Sequence, residues 1–259
     1  MQAYCGIMSV TGHAETGPAR VGGSVVDFGT GMWAALGIVS ALHQCSDTGE
    51  GCHVSTSLMD TTLGWVAYHL MGYLADGQVP GPMGSRLAMI APYGAFPTSD
   101  GQLMIAAGND ALFGRLCMAF YLPDLAADPL FMENPSRVAN RDQLFTMLAS
   151  QTGRYTTREL WELLGEHSVP AAPIQDMATV ATDPQVVASG MLPLGDHPQI
   201  PNYQDIAMPV RWDDERPQTR SVLPRAGEHT SEVLAELGYG AEEIEALLDA
   251  SVVGGLEED

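Results

Sequence analysis

Apolar residues recur with helical spacing in two stretches near the start of the chain. The run from Met32 to Gln44 predicts a helix, which the glycines of TGEGC (Thr48–Cys52) end. The following letters HVSTSLMD predict a short strand, and around Leu58–Asp60 an amphipathic helix begins that ends at Gly77. Helix, strand and helix in this order are typical of an α/β fold.

The middle of the chain alternates between extended and helical patterns. YGAFPTSDGQLMIAAGND predicts a β-hairpin that turns at Ser99–Gly101, because an Asp-Gly pair suits a turn with positive φ. Beyond it SVPAAPI predicts an extended segment, and HTSEVLAELGYGAEEIEALLDASVV predicts two short helices separated by GYG. Further helices are predicted at Ala111–Tyr121, Arg141–Thr152 and Thr157–His167.

Proline- and glycine-rich or polar stretches divide these elements into segments. We predict part of a large domain at 1–76, a linker at 77–88, a small α+β domain at 89–209, a second linker at 210–226 and C-terminal helices at 227–259.

Composition excludes several classes of partner. The 259 residues are 46% hydrophobic, which predicts a folded chain, and they carry 11 basic and 32 acidic residues for a formal net charge of −21. All 11 basic residues are arginine. Because nucleic acids and anionic membranes attract basic surfaces, neither is expected as a partner.

Sequence patterns that the chain lacks allow predictions about its location and about metal binding. The longest apolar run, Met32–Leu42, is about half of the roughly 20 residues that cross a bilayer, and the N-terminus has no secretion signal, so we predict a cytoplasmic protein. The four cysteines form no CxxC pair and the seven histidines form no HExxH, so no metal site is predicted. Cys117 fits a packed core.

One acid stands out at the start of the first apolar run. Asp27 lies in GGSVVDFGTGMWAALGIVSAL, where it is the only charged residue. If the helix begins just after it, Asp27 is either a helix N-cap or a poorly hydrated carboxylate able to attack an activated acyl group. The neighbouring Gly29 and Gly31 leave room for a bulky substrate. Spacing alone leaves both interpretations open.

Other candidates are less specific. The glycines at 22, 23, 29 and 31, and again at 81 and 84, match no nucleotide-phosphate loop, although their backbone amides could form an oxyanion hole or ordinary turns. Arg137 and Arg141 lie one helical turn apart, where they can grip a phosphate together or pair with acids such as Glu133 or Asp142.

An ordered series of motifs resembles the family III CoA-transferases, also called the CaiB/BaiF type. It comprises MQAYCGIMSVTG, VVDFGTGMWAALGIVSAL, TGEGCHVSTSLMD, APYGAFPTSDG, AAGNDALFGRLC, LAADPLFMENPSRVANR, SVPAAPI, DPQVVASGML and GEHTSEVLAELGY. The series runs from the first residues to about Val253. A series of this length and order is more specific than any motif within it.

The resemblance implies a reaction and its residues. In that family the acid at the position of Asp27 is the nucleophile, which takes CoA from an acyl-CoA thioester through a mixed anhydride and an aspartyl-CoA thioester and passes it to a carboxylic acid. A CoA thioester is then a substrate, with no permanently bound cofactor. A glycine loop near the site corresponds to Gly84 and Ser85 here.

The resemblance also implies an architecture and partners. Family members have a Rossmann-like large domain with a smaller α+β domain and form interlocked dimers. They are longer than this chain, and the N-terminal half, which holds most CoA contacts, is expected to be missing here. We therefore expect a homodimer or a partner that supplies such a half.

Two alternatives remain open. The α-methylacyl-CoA racemases share the fold and an acid at the position of Asp27, and they use a second acid in the small domain, where AAGNDALF offers Asp110. A noncatalytic fragment that needs a partner chain is the other alternative.

Overall fold

The computed structural model describes residues 1–195, 197, 199–217 and 223–256, and the chain divides into two compact units. The first unit is Met1–Ile174 and the second is Gln175–Asp259. Parts of the predicted linker 210–226 and of the predicted segment 227–259 therefore lie outside the described residues. The five-segment division stays a prediction, and the mixed α/β class is confirmed.

The first unit begins with small elements and three helices. A 3₁₀ helix at Ile7–Val10 precedes a two-residue hairpin of β1 (Gly12–His13) and β2 (Gly17–Pro18). The helices are α1 (Val25–Thr48), α2 (Leu58–Trp65) and α3 (Ala67–Asp76).

An antiparallel sheet in the order β3-β4-β5 anchors the rest of this unit. Its strands are β3 (Tyr93–Pro97), β4 (Gln102–Ala106) and β5 (Ala171–Pro173), and its helices are α4 (Asp110–Ala119), α5 (Pro123–Ala127), α6 (Asn134–Ala139), α7 (Arg141–Thr152) and α8 (Thr157–Glu166). The second unit contains α9 (Met177–Thr182), α10 (Pro184–Ser189), α11 (Thr230–Glu236) and α12 (Ala241–Asp249).

The predicted hairpin is confirmed, and its inward-facing residues form one side of the hydrophobic core. Pro97 pairs with Gln102, so a four-residue loop that contains Asp100 and Gly101 joins β3 to β4. Side chains alternate across a strand, and Leu103 and Ile105 of β4 accordingly point inward and are fully buried. They pack with buried residues of α4, α7 and α8. Burial of this kind is the main source of stability in a globular chain.

The helices after the sheet lie where their patterns predict. The predicted helices at Arg141–Thr152 and Thr157–His167 are confirmed, the second ending at Glu166. Helix α8 begins with a capping box in which the side chains of Thr156 and Glu159 each accept a hydrogen bond from the other residue's backbone N–H. The two predicted C-terminal helices are α11 and α12. The SVPAAPI segment includes β5, which pairs with β4.

Two predictions in the first 80 residues are wrong. No strand forms between Gly51 and Ser57, because no neighbouring strand pairs with this extended segment within the described residues. The amphipathic stretch that follows is two helices, since the α-helical path breaks at Val66 between α2 and α3.

Helix α1 is longer and much more exposed than its sequence suggests. It begins at Val25 rather than Met32, and only Val26 and Gly29 are buried. With 24 residues, of which an 18-residue stretch has a mean hydropathy of 1.5, it is the one helix in the described ranges long and apolar enough to cross a membrane. We expected no membrane-spanning segment because Met32–Leu42 is too short. The helix also includes Val25, Val26 and Phe28, which lengthen its apolar part. Length and composition alone are weak evidence for a membrane span.

Candidate functional site

Asp27 is not the N-cap of α1. The helix begins two residues before it, so Asp27 is the third helical residue, and Ser24 occupies the cap position without a side-chain capping hydrogen bond. The Phe28 N–H already donates to the Ser24 carbonyl at 3.0 Å. The capping interpretation is therefore wrong, although Asp27 still lies in the first turn, where the backbone dipoles favour a negative charge.

The Asp27 side chain has no competing partner. It is exposed, and within the described ranges no hydrogen bond or ion pair engages its carboxylate. Other first-turn acids differ, since the Asp60 carboxylate of α2 accepts a hydrogen bond from the Ser57 hydroxyl at 2.6 Å. An unpaired carboxylate keeps its oxygen lone pairs available for attack on an acyl carbon.

The first turns of α1 are held in place by α2. The Thr30 hydroxyl donates to the Val26 carbonyl at 2.8 Å and lies 2.9 Å from the Thr61 hydroxyl. The rings of Trp33 and Trp65 lie 6.4 Å apart between centroids. These contacts fix the helical turn that carries Asp27, and sequence analysis missed them because no local pattern indicates which faces of two helices meet.

Gly29 and Gly31, both predicted to make room for substrate, have different surroundings. A Cβ on Gly29 would lie 2.9 Å from two atoms of the Trp65 ring, so this glycine allows the close approach of α1 and α2. A Cβ on Gly31 would meet nothing within 4 Å. Gly31 lies one turn beyond Asp27 on the same side of the helix and leaves the space beside the carboxylate open.

Gly84 and Ser85 line a separate cleft of about 810 Å³. Its walls are α3, with Tyr68 and His69, and the connector 78–90. Gly84 has a φ of +65°, and a Cβ there would lie 2.6 Å from the His13 ring, so this turn requires glycine. The Ser85 hydroxyl accepts a hydrogen bond from the Ala95 N–H at 2.8 Å.

The two groups of candidate residues do not share this cleft. Asp27, Gly29 and Gly31 are absent from its lining, whereas Gly84 and Ser85 belong to it. Sequence analysis missed His69, which contacts Tyr68 with ring centroids 4.0 Å apart. Partial burial lowers the pKa of His69, so the imidazole is neutral at pH 7. Roles for these five candidates in substrate binding stay predictions.

Arg137 and Arg141 have structural partners. Arg137 is completely buried and donates to the carbonyls of Ala91 and Phe131 and to the Asp110 carboxylate at 2.6 Å. Arg141 donates to the carbonyls of Leu87 and Ala88, which holds the connector against α7. The expected pairing of these arginines with Glu133 or Asp142 is wrong for the described residues, because Asp142 pairs with Arg86 and Arg137 pairs with Asp110.

The next side chains to consider are those that could bind a metal ion or act as thiol nucleophiles. Within the described ranges no group of three or more His, Cys, Asp or Glu side chains is arranged to hold a metal ion. All four cysteines are free thiols. Cys117 is buried, as predicted, and burial raises the pKa of its thiol to about 11.

Comparison with known proteins identifies relatives over nearly the whole chain. The model of the CoA-transferase family III matches residues 1–230. The succinyl-CoA:mesaconate CoA-transferase of Haloarcula hispanica is 35% identical over 240 residues, which are 92% of this chain and 60% of that protein. The succinate–glutarate CoA-transferase of Agrobacterium fabrum is 34% identical over 244 residues, covering 92% of this chain and 59% of the relative.

A solved structure gives the same result for the fold. A CAIB/BAIF family protein from Brucella suis superimposes with a TM-score of 0.73 at 36% sequence identity, over 91% of this chain and 61% of that one. The chain thus spans about three fifths of the length of the relatives it matches.

Proposed function

Because the chain belongs to CoA-transferase family III, we propose that it moves CoA from an acyl-CoA thioester to a carboxylic acid, with Asp27 as the nucleophile. The observation that carries this proposal is the Asp27 carboxylate, which is exposed and unpaired in the described structure and stands beside the open space at Gly31. A carboxylate needs no base and no metal to attack a thioester.

The proposed reaction conserves the thioester bond energy through four acyl transfers. An Asp27 oxygen attacks the thioester carbon, and CoA thiolate leaves to give a mixed anhydride. The thiolate then attacks the Asp27 carbonyl carbon, which releases the donor carboxylate and forms an aspartyl-CoA thioester. The acceptor carboxylate attacks that thioester and expels the thiolate. Attack of the thiolate on the acceptor carbonyl carbon forms the new acyl-CoA and restores Asp27.

The chain can contribute positioning and charge stabilisation to these steps. The contacts of Thr30 and Gly29 with α2 fix the turn that carries Asp27. The dipole at the start of α1 stabilises negative charge at the carboxylate between turnovers. We propose Gly31, Gly84 and Ser85 as residues that approach CoA or the acceptor.

Relatives suggest the class of substrate. The two curated relatives are named for succinyl-CoA with mesaconate and for succinate with glutarate. All of these acids are dicarboxylates, so we propose a dicarboxylic acyl-CoA donor and a dicarboxylate acceptor. CoA is a substrate in this scheme rather than a resident cofactor. A cytoplasmic location and a homodimer stay predictions.

Asp110, the second acid of the racemase alternative, has structural partners. Asp110 lies in the first turn of α4, where its carboxylate accepts hydrogen bonds from Arg137 and from the Asn134 N–H. One oxygen of the Asp110 carboxylate thus accepts from two groups of the protein itself, which assigns this acid a structural role.

The proposal is tested by incubating the protein with succinyl-CoA and glutarate, mesaconate or oxalate and following new acyl-CoA by chromatography. We expect transfer to at least one acid and a loss of at least a thousandfold for Asp27→Asn. Asp47→Asn, which changes an exposed acid at the other end of α1, serves as the matched control. Undiminished transfer by Asp27→Asn would remove Asp27 from the nucleophile role. Deuterium exchange at the α-carbon of 2-methylbutyryl-CoA without an acceptor would instead support a racemase.

A further inference from the structure

The connector that forms one wall of the cleft is held on its other side by side chains of α6 and α7. The Arg141 guanidinium of α7 donates to two consecutive connector carbonyls, that of Leu87 at 3.2 Å and that of Ala88. The Asn134 side-chain amide of α6 donates to the next carbonyl, that of Met89, at 2.9 Å. Three consecutive carbonyls of the connector therefore point towards α6 and α7.

This arrangement of the carbonyls fixes the direction of the N–H groups beside them. In a trans peptide unit the C=O and the N–H that follows it point in opposite directions, and the peptide units from 87 to 89 are trans. Since the Leu87 and Ala88 carbonyls both accept from one guanidinium, the N–H groups of Ala88 and Met89 both point away from α7. Ala88 and Met89 line the cleft, and no described residue of α6 or α7 does. The two N–H groups are therefore directed towards the cleft.

These two N–H groups have no acceptor within the described ranges. Elsewhere in the connector the backbone is paired, since the Gly84 N–H donates to the Gly12 carbonyl at 2.6 Å. The chain bends at Ala88 and Met89, and both residues are exposed, so a ligand in the cleft can reach their backbone. Successive backbone N–H groups that point the same way form binding sites for anions.

The charges that line the cleft suit one carboxylate better than the phosphates of CoA. A diphosphate and a 3′-phosphate are bound by several cations. The described lining of the cleft offers Arg86, which already pairs with the Asp142 carboxylate at 2.8 Å, and one acid, Asp76. Two backbone N–H groups match the two oxygens of a single carboxylate, and the ring of Tyr73 on the α3 wall offers apolar surface to a short carbon chain.

We propose that Arg141 is a positioning residue for substrate binding. By holding the Leu87 and Ala88 carbonyls, it directs the N–H groups of Ala88 and Met89 into the cleft, where they bind a carboxylate of the acceptor acid. Arg141 itself touches no substrate. The inference rests on the proposed function for the identity of the ligand, because a free carboxylic acid is the acceptor in that reaction.

Binding of glutarate and of mesaconate to the ¹⁵N-labelled protein tests this site without requiring turnover. We expect the amide signals of Ala88 and Met89 to move as one of these acids is added. Arg141→Met should weaken that binding by about tenfold, because the connector carbonyls lose their donor. Arg141→Lys should fall between the two, since an ammonium lacks the planar fork that reaches both carbonyls. Arg158→Met, at an exposed arginine of α8, is the matched control and should bind like the wild type.

A pair of variants at Met89 tests the N–H group while Arg141 stays in place. Proline has no N–H, so Met89→Pro should weaken binding of the acid by about tenfold. Met89→Ala keeps the N–H and shortens a side chain that is largely in solvent, so it should bind like the wild type. Thermal melts verify that each variant folds. Equal weakening by the two Met89 variants would assign the effect to the side chain and overturn the proposal.

Transfer assays separate this inference from the proposed function. Arg141→Met should raise KM for the acceptor by about tenfold and change kcat by less than about threefold, because the nucleophile is untouched. Acid binding at the two amides without CoA transfer would leave the site standing and contradict the proposed function. The inference is overturned if neither acid moves the Ala88 and Met89 signals, whether or not CoA is transferred, or if Arg141→Met raises KM for succinyl-CoA alone.

Discussion

The sheet region, which consists of β3 to β5 with helices α4 to α8, buries its apolar residues, whereas helix α1 exposes residues of the same kinds. Leu103 and Ile105 of β4 are completely buried against helices of the same unit, whereas Met32 and Val39 of α1 remain largely in solvent. Periodicity in the sequence is clear in both regions. The sheet region therefore holds itself together, while the exposed apolar side of α1 contributes little to this chain's own stability.

The largest difference should come from truncating one leucine in each region. Leu116→Ala in α4 removes a completely buried side chain and should cost about 2–5 kcal/mol of unfolding free energy. Leu36→Ala in α1 shortens a side chain that is 56% exposed and should cost less than about 0.5 kcal/mol. Urea titrations followed by circular dichroism measure both. Equal losses would show that α1 is packed as firmly as the sheet region.

A buried cation in the sheet region should be nearly as costly to remove. Arg137→Met leaves the carbonyls of Ala91 and Phe131 without their donor and should lower the unfolding free energy by roughly 3 kcal/mol. Arg158→Met, which breaks an exposed pair with Glu162, is the control and should change the unfolding free energy little, because water and salt screen exposed ion pairs. A loss from Arg137→Met no greater than the control's would contradict its structural role.

Two glycines on α1 sharpen the comparison within a single helix. Gly29→Ala forces a Cβ against Trp65 and should destabilise the chain by about 1–3 kcal/mol. Gly31→Ala meets open space and should stabilise it by about 0.5–1 kcal/mol, because alanine is the better helix former. Thermal melts of the two variants should shift in opposite directions. A shift in the same direction would mean that the side of α1 at Gly31 is already covered.

The smallest effect concerns thiol chemistry and leaves stability unchanged. Cys117 in the sheet region is buried, and its pKa of about 11 leaves about a thousandth of it as thiolate at pH 8. Cys52, in the exposed segment between α1 and α2, should react with a disulfide reagent within minutes. Peptide mapping of the labelled protein distinguishes the two sites. Rapid labelling of Cys117 in the folded protein would contradict the burial of α4.

Much of the sheet region could be predicted from sequence because its signals are local. The Asp100–Gly101 pair indicates a turn, and the apolar periodicity of Arg141–Thr152 is enough to define α7. The distant partner of Arg137 could not be predicted, because Ala91 lies 46 residues away in the sequence and only tertiary packing brings its carbonyl to the guanidinium.

The candidate site could be predicted from sequence only as far as Asp27, the proposed nucleophile. Asp27 is conspicuous as the single charge in an apolar run, and its interpretation as an N-cap failed because α1 continues past it to Val25. Gly29 allows helix packing and Gly31 does not, because Trp65 lies against Gly29. No rule of sequence spacing predicts the position of Trp65. Helical spacing of the apolar residues of α1 is visible in the sequence, yet the exposure of Phe28, Met32 and Val39 is a property of the folded chain alone.

Trapping of the activated carboxylate tests whether Asp27 becomes acylated during CoA transfer. A preparation of the protein that shows CoA transfer is incubated with succinyl-CoA and hydroxylamine. It is then digested for mass spectrometry. We expect a hydroxamate at Asp27, no change at Asp47 in the same helix, and loss of transfer in proportion to the modification. Continued transfer with Asp27 unmodified would contradict this expectation.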